Sequence, residues 1–473
     1  MAKHFAGHRI RRLRSGVGAS QVELARRLDL STSYLNQLEN DQRPLTVPVL
    51  MRLTAFFGVD ATYFSDDADA RLVADLEGAL AGSGLGELPS TAPGGSVAEL
   101  VARFPEVARH LVAVTRRLDE QAADIGRMSG ARPEADRAQF VYERVRDFFY
   151  TRRNHVAELD AAAEDLASGS VGVGAAIEPW LVEMLDVRYG VRVVDGGPAE
   201  RRRYDRATRT VHLPAGMDGG RRAFQLAAQI AFLEHGRLLD ELVAEGAELD
   251  DSSRALARVG LAQYFAGATV LPYGRFLDAA TRHRYDVDLL SEEFGVGFET
   301  VCHRLSTLQR PGRSGVPFLF VRTDRAGNIS KRQSATAFHF SRGGGSCPLW
   351  VVHRAFETPH RIVRQVAEMP DGRRYLWIAR TVTGRPHGFG RPVAEFAVGL
   401  GCAIEHADRM VYATGLDLAD PGAATPIGAG CRVCDRPDCA QRAFPRSGAE
   451  PAVDEDVQSS APYSTAPGVP SGP

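Results

Sequence analysis

Apolar positions in the first 65 residues recur at helical spacing between clear caps. Leu24, Ala25 and Leu28 form the inward face of one short helix, with Ser20 as N-cap and Glu23 three residues on as a capping box. Leu35 and Leu38 give the same face to a second helix capped by Ser31, Pro48 falls in the first turn of a later one, and Gly58 closes it. After a Gly/Ser/Pro-rich linker over 81–96, Leu100, Val101, Phe104, Val107, Leu111, Val114 and Leu118 mark one apolar stripe. A second long helix is expected over 136–166, carrying Phe140, Val141, Val145, Phe148 and Phe149.

From 179 to 311 the pattern is mixed, with a short hairpin around YDRATRTVHL and helices over 221–235, 253–270 and 288–308. From Gly315 to Thr383, the runs FLFVRT, TAFHF, LWVVHRAF, RIVRQVAEM and RYLWIARTV alternate with Gly- and Asp-containing turns and predict an antiparallel sheet. A helix is expected at about 393–413, and the acidic Pro/Ser/Ala-rich tail from Arg446 reads as disordered.

These patterns define an α+β multidomain chain. An all-α domain spans 1–65, a linker and helical segment 66–135, a mainly helical core 136–312, and an antiparallel-sheet (GAF/PAS-like) domain with a cysteine loop 313–445, before the tail 446–473. The 473 residues carry 57 Lys+Arg against 59 Asp+Glu, a net charge of -2, which excludes a uniformly basic nucleic-acid coat. Residues 1–65 nevertheless hold nine basic residues (3, 9, 11, 12, 14, 26, 27, 43 and 52) against five acids, so a basic module is hidden by the average. Lys3 and Lys331 are the only lysines, so individual arginines carry little weight as ligands. The start has no apolar targeting segment and no stretch approaches the roughly 18 apolar residues of a membrane span, so a cytoplasmic protein is expected.

Two short helices joined by a three-residue turn are helix-turn-helix geometry, in which the second helix enters the major groove. Ser31, Thr32, Ser33, Tyr34, Asn36 and Gln37 face outward; amides pair with adenine edges and hydroxyls with bases or phosphates, while Gln21 and Arg43 flank for backbone contact. The stretch SQVELARRLDLSTSYLNQLENDQRPLTVPVLMRLTAFF resembles the XRE (Cro/cI-like) family over about 8–64. That resemblance implies double-stranded DNA as partner, bound by a homodimer on a two-fold operator.

RRAFQLAAQIAFLEHG (221–236) resembles the active helix of the ImmA/IrrE metallopeptidase-like family. Active members place two His on one face for zinc with a Glu between as base. Here Ala228, Gln229 and Phe232 occupy those positions, Val259 stands where a third ligand is expected, and His235 is a lone helix-end histidine. No catalytic residues are assigned, and an enzyme is disfavoured on chemistry.

GAGCRVCDRPDCAQRAFP supplies Cys431, Cys434 and Cys439 in a C-x2-C-x4-C spacing suited to a metal or cluster. The fourth ligand is expected from Cys402, with His406 a weaker candidate; Cys302 and Cys347 read as structural. Spacing leaves zinc and iron-sulfur open.

DRAGNISKRQSATAFHFSRGGGSCPLWVVHRAF, GCAIEHADRMVYATGLDL and IGAGCRVCDRPDCAQRAFP are similar to the short-chain fatty acyl transcriptional regulators of actinobacteria, a resemblance covering 1–445 in order. Its members include regulators of propionate (methylcitrate) and acetate (glyoxylate) metabolism. The resemblance implies an acyl-CoA effector and an iron-sulfur cluster, of the four-iron type, on Cys431, Cys434 and Cys439. An acyl-CoA site needs cations, a stacking surface and an apolar slot, for which Arg322, Lys331, Arg332, Arg342, Phe338, Phe340, Trp350 and Trp377 are the candidates. A redox or metal sensor with the cysteines as input, and a residual metallopeptidase, are the rival readings.

Overall fold

The computed structural model describes residues 6–40, 42–59, scattered positions from 72 to 101, 104–128, 134–196, 200–247, 249–335, 346–384, 389–436, 439–445 and 456. It divides into two compact units, 1–119 and 120–473.

In the first unit, α1 (Gly7–Gly16), α2 (Gln21–Arg27), α3 (Thr32–Glu39) and α4 (Val47–Phe57) close around Ile10, Leu24, Ala25, Leu28, Leu35, Leu38, Val49 and Leu53. Both N-caps form: the Glu23 N–H donates to Ser20 Oγ at 3.2 Å and the Tyr34 N–H to Ser31 Oγ at 3.1 Å, while the Glu23 carboxylate accepts from Arg27 at 3.4 Å instead of closing the capping box. Gly58 ends α4 at φ +65°, where a Cβ is disfavoured. The stripe after the linker is corrected: of it Val101 is buried, packed with Leu76, Ala108 and Val112, whereas Phe104, Val107, Leu111 and Val114 are exposed. Phe104 immediately precedes α5 (Pro105–Met128), and Val107, Ala108, Leu111, Val112 and Val114 lie on it.

The second unit begins with α6 (Glu134–Thr151) and α7 (Ala157–Ser168), where one helix over 136–166 was expected. The break follows from Arg153 and Asn154, which adopt φ +51° and +56°, while the Asn154 amide donates to the Ser334 carbonyl at 2.9 Å. Next come α8 (Glu178–Tyr189) and a three-stranded sheet in which β2 (Arg203–Asp205) and β3 (Thr210–Leu213) form the predicted hairpin and β1 (Arg192–Asp195) pairs parallel with β3. Helices α9 (Gly219–Glu234), α10 (Gly236–Ala244), α11 (Asp251–Val270), α12 (Tyr273–Arg282), α13 (Val287–Phe294) and α14 (Phe298–Leu305) complete the core. The expected helix over 288–308 is two, because Gly295 turns the chain at φ +63° against Ala175.

The large sheet has the order β5-β4-β8-β7-β6-β9, from β4 (Phe318–Thr323), β5 (Ile329–Ser334), β6 (Val363–Glu368), β7 (Arg374–Thr383), β8 (Glu395–Ala403) and β9 (Thr425–Pro426). All pairings are antiparallel except the two-residue β6–β9 contact. Two expectations are corrected. LWVVHRAF is not a strand but carries the short helix α15 (Val351–Arg354), whose Val351, Val352 and Ala355 pack on the sheet. The expected helix at 393–413 is instead β8 followed by 3₁₀ turns, because Gly399 and Gly401 alternate with buried Val398, Leu400 and Cys402 at period two. TAFHF lies outside the described residues, as does the tail apart from position 456.

That alternation gives the sheet two buried faces. Phe318, Phe320, Leu376, Ile378, Val398, Leu400 and Cys402 join the helical core, while Leu319, Val321, Tyr375, Trp377, Ala379 and Ala397 pack with α15, Cys347 and Ile427. Among the described residues no helix is long and apolar enough to cross a membrane.

Candidate functional site

The outward face of α3 is built by its caps and its inward leucines. With Leu35 and Leu38 buried, Thr32, Ser33 and Asn36 are exposed, Tyr34 and Gln37 half-buried, and the Ser31 cap exposed at the helix start. The Arg43 guanidinium lies 5.7 Å from the Tyr34 ring centre. Sequence reasoning missed Glu39, the buried acid that ties the motif together. It accepts from Arg14 at 2.6 and 3.0 Å and from the Gln21 amide at 2.7 Å, and Gln21 also approaches Asn36 Oδ1 at 3.4 Å. Burial alone would push Glu39 up, but the bonds from Arg14 and Gln21 outweigh it and hold the carboxyl below its ordinary value. Gln21 is thus partly committed to the scaffold.

On α9, Ala228 and Gln229 are buried and Phe232 is half-buried, flanked by the guanidinium groups of Arg202 at 5.3 Å and Arg258 at 5.4 Å. Burial pulls Arg202 down to about 10. Where active relatives of this helix would hold a cation, this chain has packed an aromatic ring between two fixed cations. Val259 is exposed on α11. His235 caps the end of α9 half-buried: its ring lies 4.8 Å from Phe265, and burial lowers its pKa.

Among the described residues, the acyl-CoA candidates fall into separate surroundings. Arg322 and Lys331 both donate to Glu299 Oε1, at 3.0 and 3.2 Å, and Arg332 is paired with Glu143. Each of the three cations therefore already has a carboxylate. Trp350 and Trp377 are buried and meet edge to face with centres 4.8 Å apart, so they are core side chains and present no stacking surface for a base. Phe338, Phe340 and Arg342 lie outside the described residues.

Cys431, Cys434 and Cys439 line one partly open cavity, as their spacing anticipates. The loop that carries them is clamped from within: Arg442 donates to the carbonyls of Cys431 at 2.8 Å and Cys434 at 3.1 Å, and Arg436 donates to those of Ile427 at 3.1 Å and Glu368 at 2.7 Å. The Ala443 N–H points at Cys431 Sγ from 3.4 Å. Gly428 leaves room for sulfur, since a Cβ there would lie 2.5 Å from Cys434 Sγ. Burial pushes the Cys434 thiol up.

Cys402 is a correction. It belongs to the opposite face of the sheet, fully buried in the helical core with its sulfur 3.4 Å from Met410 Sδ, and burial pushes its thiol up. His406, in the 3₁₀ turn after β8, does not line the cavity either. The fourth thiol there is Cys347, which reads as structural from the sequence. Among the described residues, no three His, Cys, Asp or Glu side chains converge tightly enough to hold a metal ion as they stand.

Residues 307–463 match the short-chain fatty acyl coenzyme A regulator C-terminal domain, 187–306 the IrrE N-terminal-like domain, and 6–63 a helix-turn-helix domain. The chain is 52% identical to the HTH-type transcriptional regulator PrpR of Mycobacterium tuberculosis, over 98% of this chain and 96% of that protein. It is 48% identical to RamB of the same species, over 98% and 99%, and 43% identical to the propionyl-CoA carboxylase regulator of Cereibacter sphaeroides, over 98% of each. A solved Mycobacterium tuberculosis transcriptional regulator superposes with a TM-score of 0.66 at 54% identity, covering 68% of this chain and 99% of the other.

Proposed function

The chain belongs to the family of short-chain fatty acyl coenzyme A regulators, DNA-binding transcriptional regulators rather than enzymes, and on that premise we propose that it controls genes of short-chain acyl metabolism in response to an acyl-CoA. The genes would be those of propionate or acetate use. The observation that carries this reading is the joining, in one chain, of an α3 face of uncharged hydrogen-bonding groups to a carboxy-terminal half that matches the family's acyl-CoA domain.

In this reading two copies bind a two-fold symmetric operator. Thr32, Ser33, Tyr34, Asn36 and Gln37 read bases, and Ser31, Gln21 and Arg43 meet the backbone. The acyl-CoA binds one arrangement of the dimer better than another and so shifts operator affinity. Arg322 and Lys331 serve its phosphates only by exchanging Glu299 for them. The test is operator binding by the full chain with free CoA, acetyl-CoA, propionyl-CoA and no addition. An affinity that follows the acyl group supports the mechanism; one indifferent to all three leaves a DNA-binding protein without this effector.

A metal on Cys431, Cys434 and Cys439 is part of the same proposal, as an iron-sulfur cluster or as zinc. What supports it is the donor set: thiols on a clamped loop around one cavity, with Gly428 leaving the space a Cβ would fill. Either group would tie the loop to the sheet, and a cluster would in addition let the chain exchange an electron. Iron, zinc and sulfide analysis of anaerobically purified protein separates the two. If the cluster is the input, oxidation rather than acyl-CoA changes operator affinity.

A further inference from the structure

We propose that the exposed apolar stripe of α5 pairs two copies of the chain as a parallel, in-register coiled coil. The inference rests on the reading above, in which two copies share one operator, and names the surface that joins them.

Among the described residues, α5 buries one apolar face and exposes another. Ala108 and Val112 pack with Leu76 and Val101 inside the chain. Phe104, immediately before the helix, and Val107, Leu111 and Val114 on it are 59%, 52%, 41% and 43% exposed. The exposed residues follow one another at three, four and three positions. In the sequence, Leu118, Ile125 and Met128 keep the same alternation to the end of the helix. A seam that repeats every 3.5 residues is the pattern of a helix wound beside another helix, whereas a helix lying on a globular core shows a wider stripe of period 3.6. Single exposed apolar residues are ordinary, but a continuous line of them marks an interaction surface.

A second α5 is the occupant this seam fits, and its polar positions choose the direction. The seam's register falls on a polar residue at position 121. In a parallel pair Gln121 comes opposite its own copy, where two amides satisfy each other, and one such polar layer fixes register. Arg117, flanking the seam, then comes beside Ala122 of the other copy. An antiparallel pair of full overlap sets Gln121 opposite Leu111 and Arg117 opposite Arg117, burying an amide without a partner and apposing like charges. Size agrees as well. The four exposed residues of two copies offer roughly 700 Å² of apolar surface, over half of the about 1,200 Å² at which specific interfaces begin, and the heptads that follow extend it. Glu106, away from the seam, is ion-paired with Arg12 of α1, so the helix that pairs the copies is also tied to the DNA-binding module.

The test is sedimentation equilibrium of the full chain, in which wild type is a dimer. Leu111→Glu weakens that dimer at least about a hundredfold, because each copy brings a carboxylate into the seam. Leu111 is exposed in the single chain, so the variant stays folded by circular dichroism. Leu111→Lys has the same effect alone. Mixing the two variants restores the dimer, because position 111 faces itself only in the parallel register. Ala113→Glu, exposed on α5 away from the seam, leaves the dimer as it is. Leu111→Glu dimers as tight as wild type overturn the pairing and leave the stripe to another partner, while the two-copy reading stands. Weakened single variants that do not recover on mixing overturn the parallel register. A wild type that sediments as a monomer with and without operator DNA overturns the two-copy reading and this inference together.

Discussion

The Arg304 guanidinium donates to Asp160 Oδ1 at 2.7 Å with both side chains inside the core of the second unit. Arg304 also donates to the Leu271 carbonyl and to Thr307 Oγ1, each at 3.0 Å, and Tyr264 donates to the other Asp160 oxygen at 3.1 Å. One ion pair thus joins α7, α11 and α14. Removing one partner strands a buried charge, so Asp160→Asn destabilises this unit by about 3–5 kcal/mol in denaturant unfolding. The sign of the pH dependence follows from the carboxylate. Burial would raise Asp160, but the Arg304 charge and hydrogen bond, with His155 Nε2 3.1 Å from the carboxylate, hold it below its ordinary value. Its contribution is therefore present above the unfolded value, about pH 3.9, and is lost as pH falls through the folded one. The gap between wild type and Asp160→Asn stays flat from pH 7 to about 5 and narrows in stronger acid. A gap that widens on acidification contradicts this account.

On α3, the proposed base-reading residues and the buried leucines can be tested apart. In the proposed reading, Gln37→Ala leaves thermal stability within about 0.5 kcal/mol and weakens operator binding by about 1–3 kcal/mol, the worth of one amide contact to a base edge. Leu35→Ala opens the helix-turn-helix core and costs about 2–5 kcal/mol of stability. Paired melting curves and operator titrations distinguish them. A Gln37→Ala protein that binds operator like wild type removes Gln37 from the base-reading set.

What the sequence discloses depends on whether the signal is local. Ser20, Ser31, Pro48 and Gly58 announce helix ends within a few residues of where they act, and those helices form. The same holds for the 203–213 hairpin and for the substitution of Ala228, Gln229 and Phe232 along one helix. Strand β8 misleads because its small and apolar residues fit either period, and only pairing with β4 and β7 decides. The position of Cys347 beside Cys434 is set by α15 crossing a sheet face, which no local spacing encodes. Arg322, Arg332 and Trp377 have the chemistry of a nucleotide site, but carboxylates from α14 and α6 and burial under α15 occupy them.

Gly401 tests the β8 assignment directly. Its Cβ would lie 2.5 Å from Trp377 Cδ2, within the ring packed across it, so Gly401→Ala forces the indole aside and costs about 1–3 kcal/mol. In a helix the same change would stabilise. Gly267→Ala in α11 is the contrast: its Cβ meets only Phe224, at 3.8 Å, and the gain in helix propensity is about 1 kcal/mol. Thermal melts of the two variants should move in opposite directions. A stabilised Gly401→Ala protein would mean that β8 is not the strand described.

Glu299 holds the cations an acyl-CoA would need, and its removal reports whether they are used. Burial would raise its pKa, yet the charges of Lys331 and Arg322 keep the carboxyl below its ordinary value, so at neutral pH it is an anion competing with any phosphate for both. Glu299→Gln keeps the shape and deletes the charge. Propionyl-CoA then binds about threefold to tenfold more tightly by calorimetry, and its salt dependence steepens because two uncompensated cations meet the phosphates. Arg322→Gln shifts affinity the other way. Destabilisation alone would weaken binding in both variants, so opposite signs identify electrostatic competition at the site. If neither substitution changes propionyl-CoA affinity, the phosphates are held elsewhere and the Glu299 cluster is a joint between α14 and the sheet.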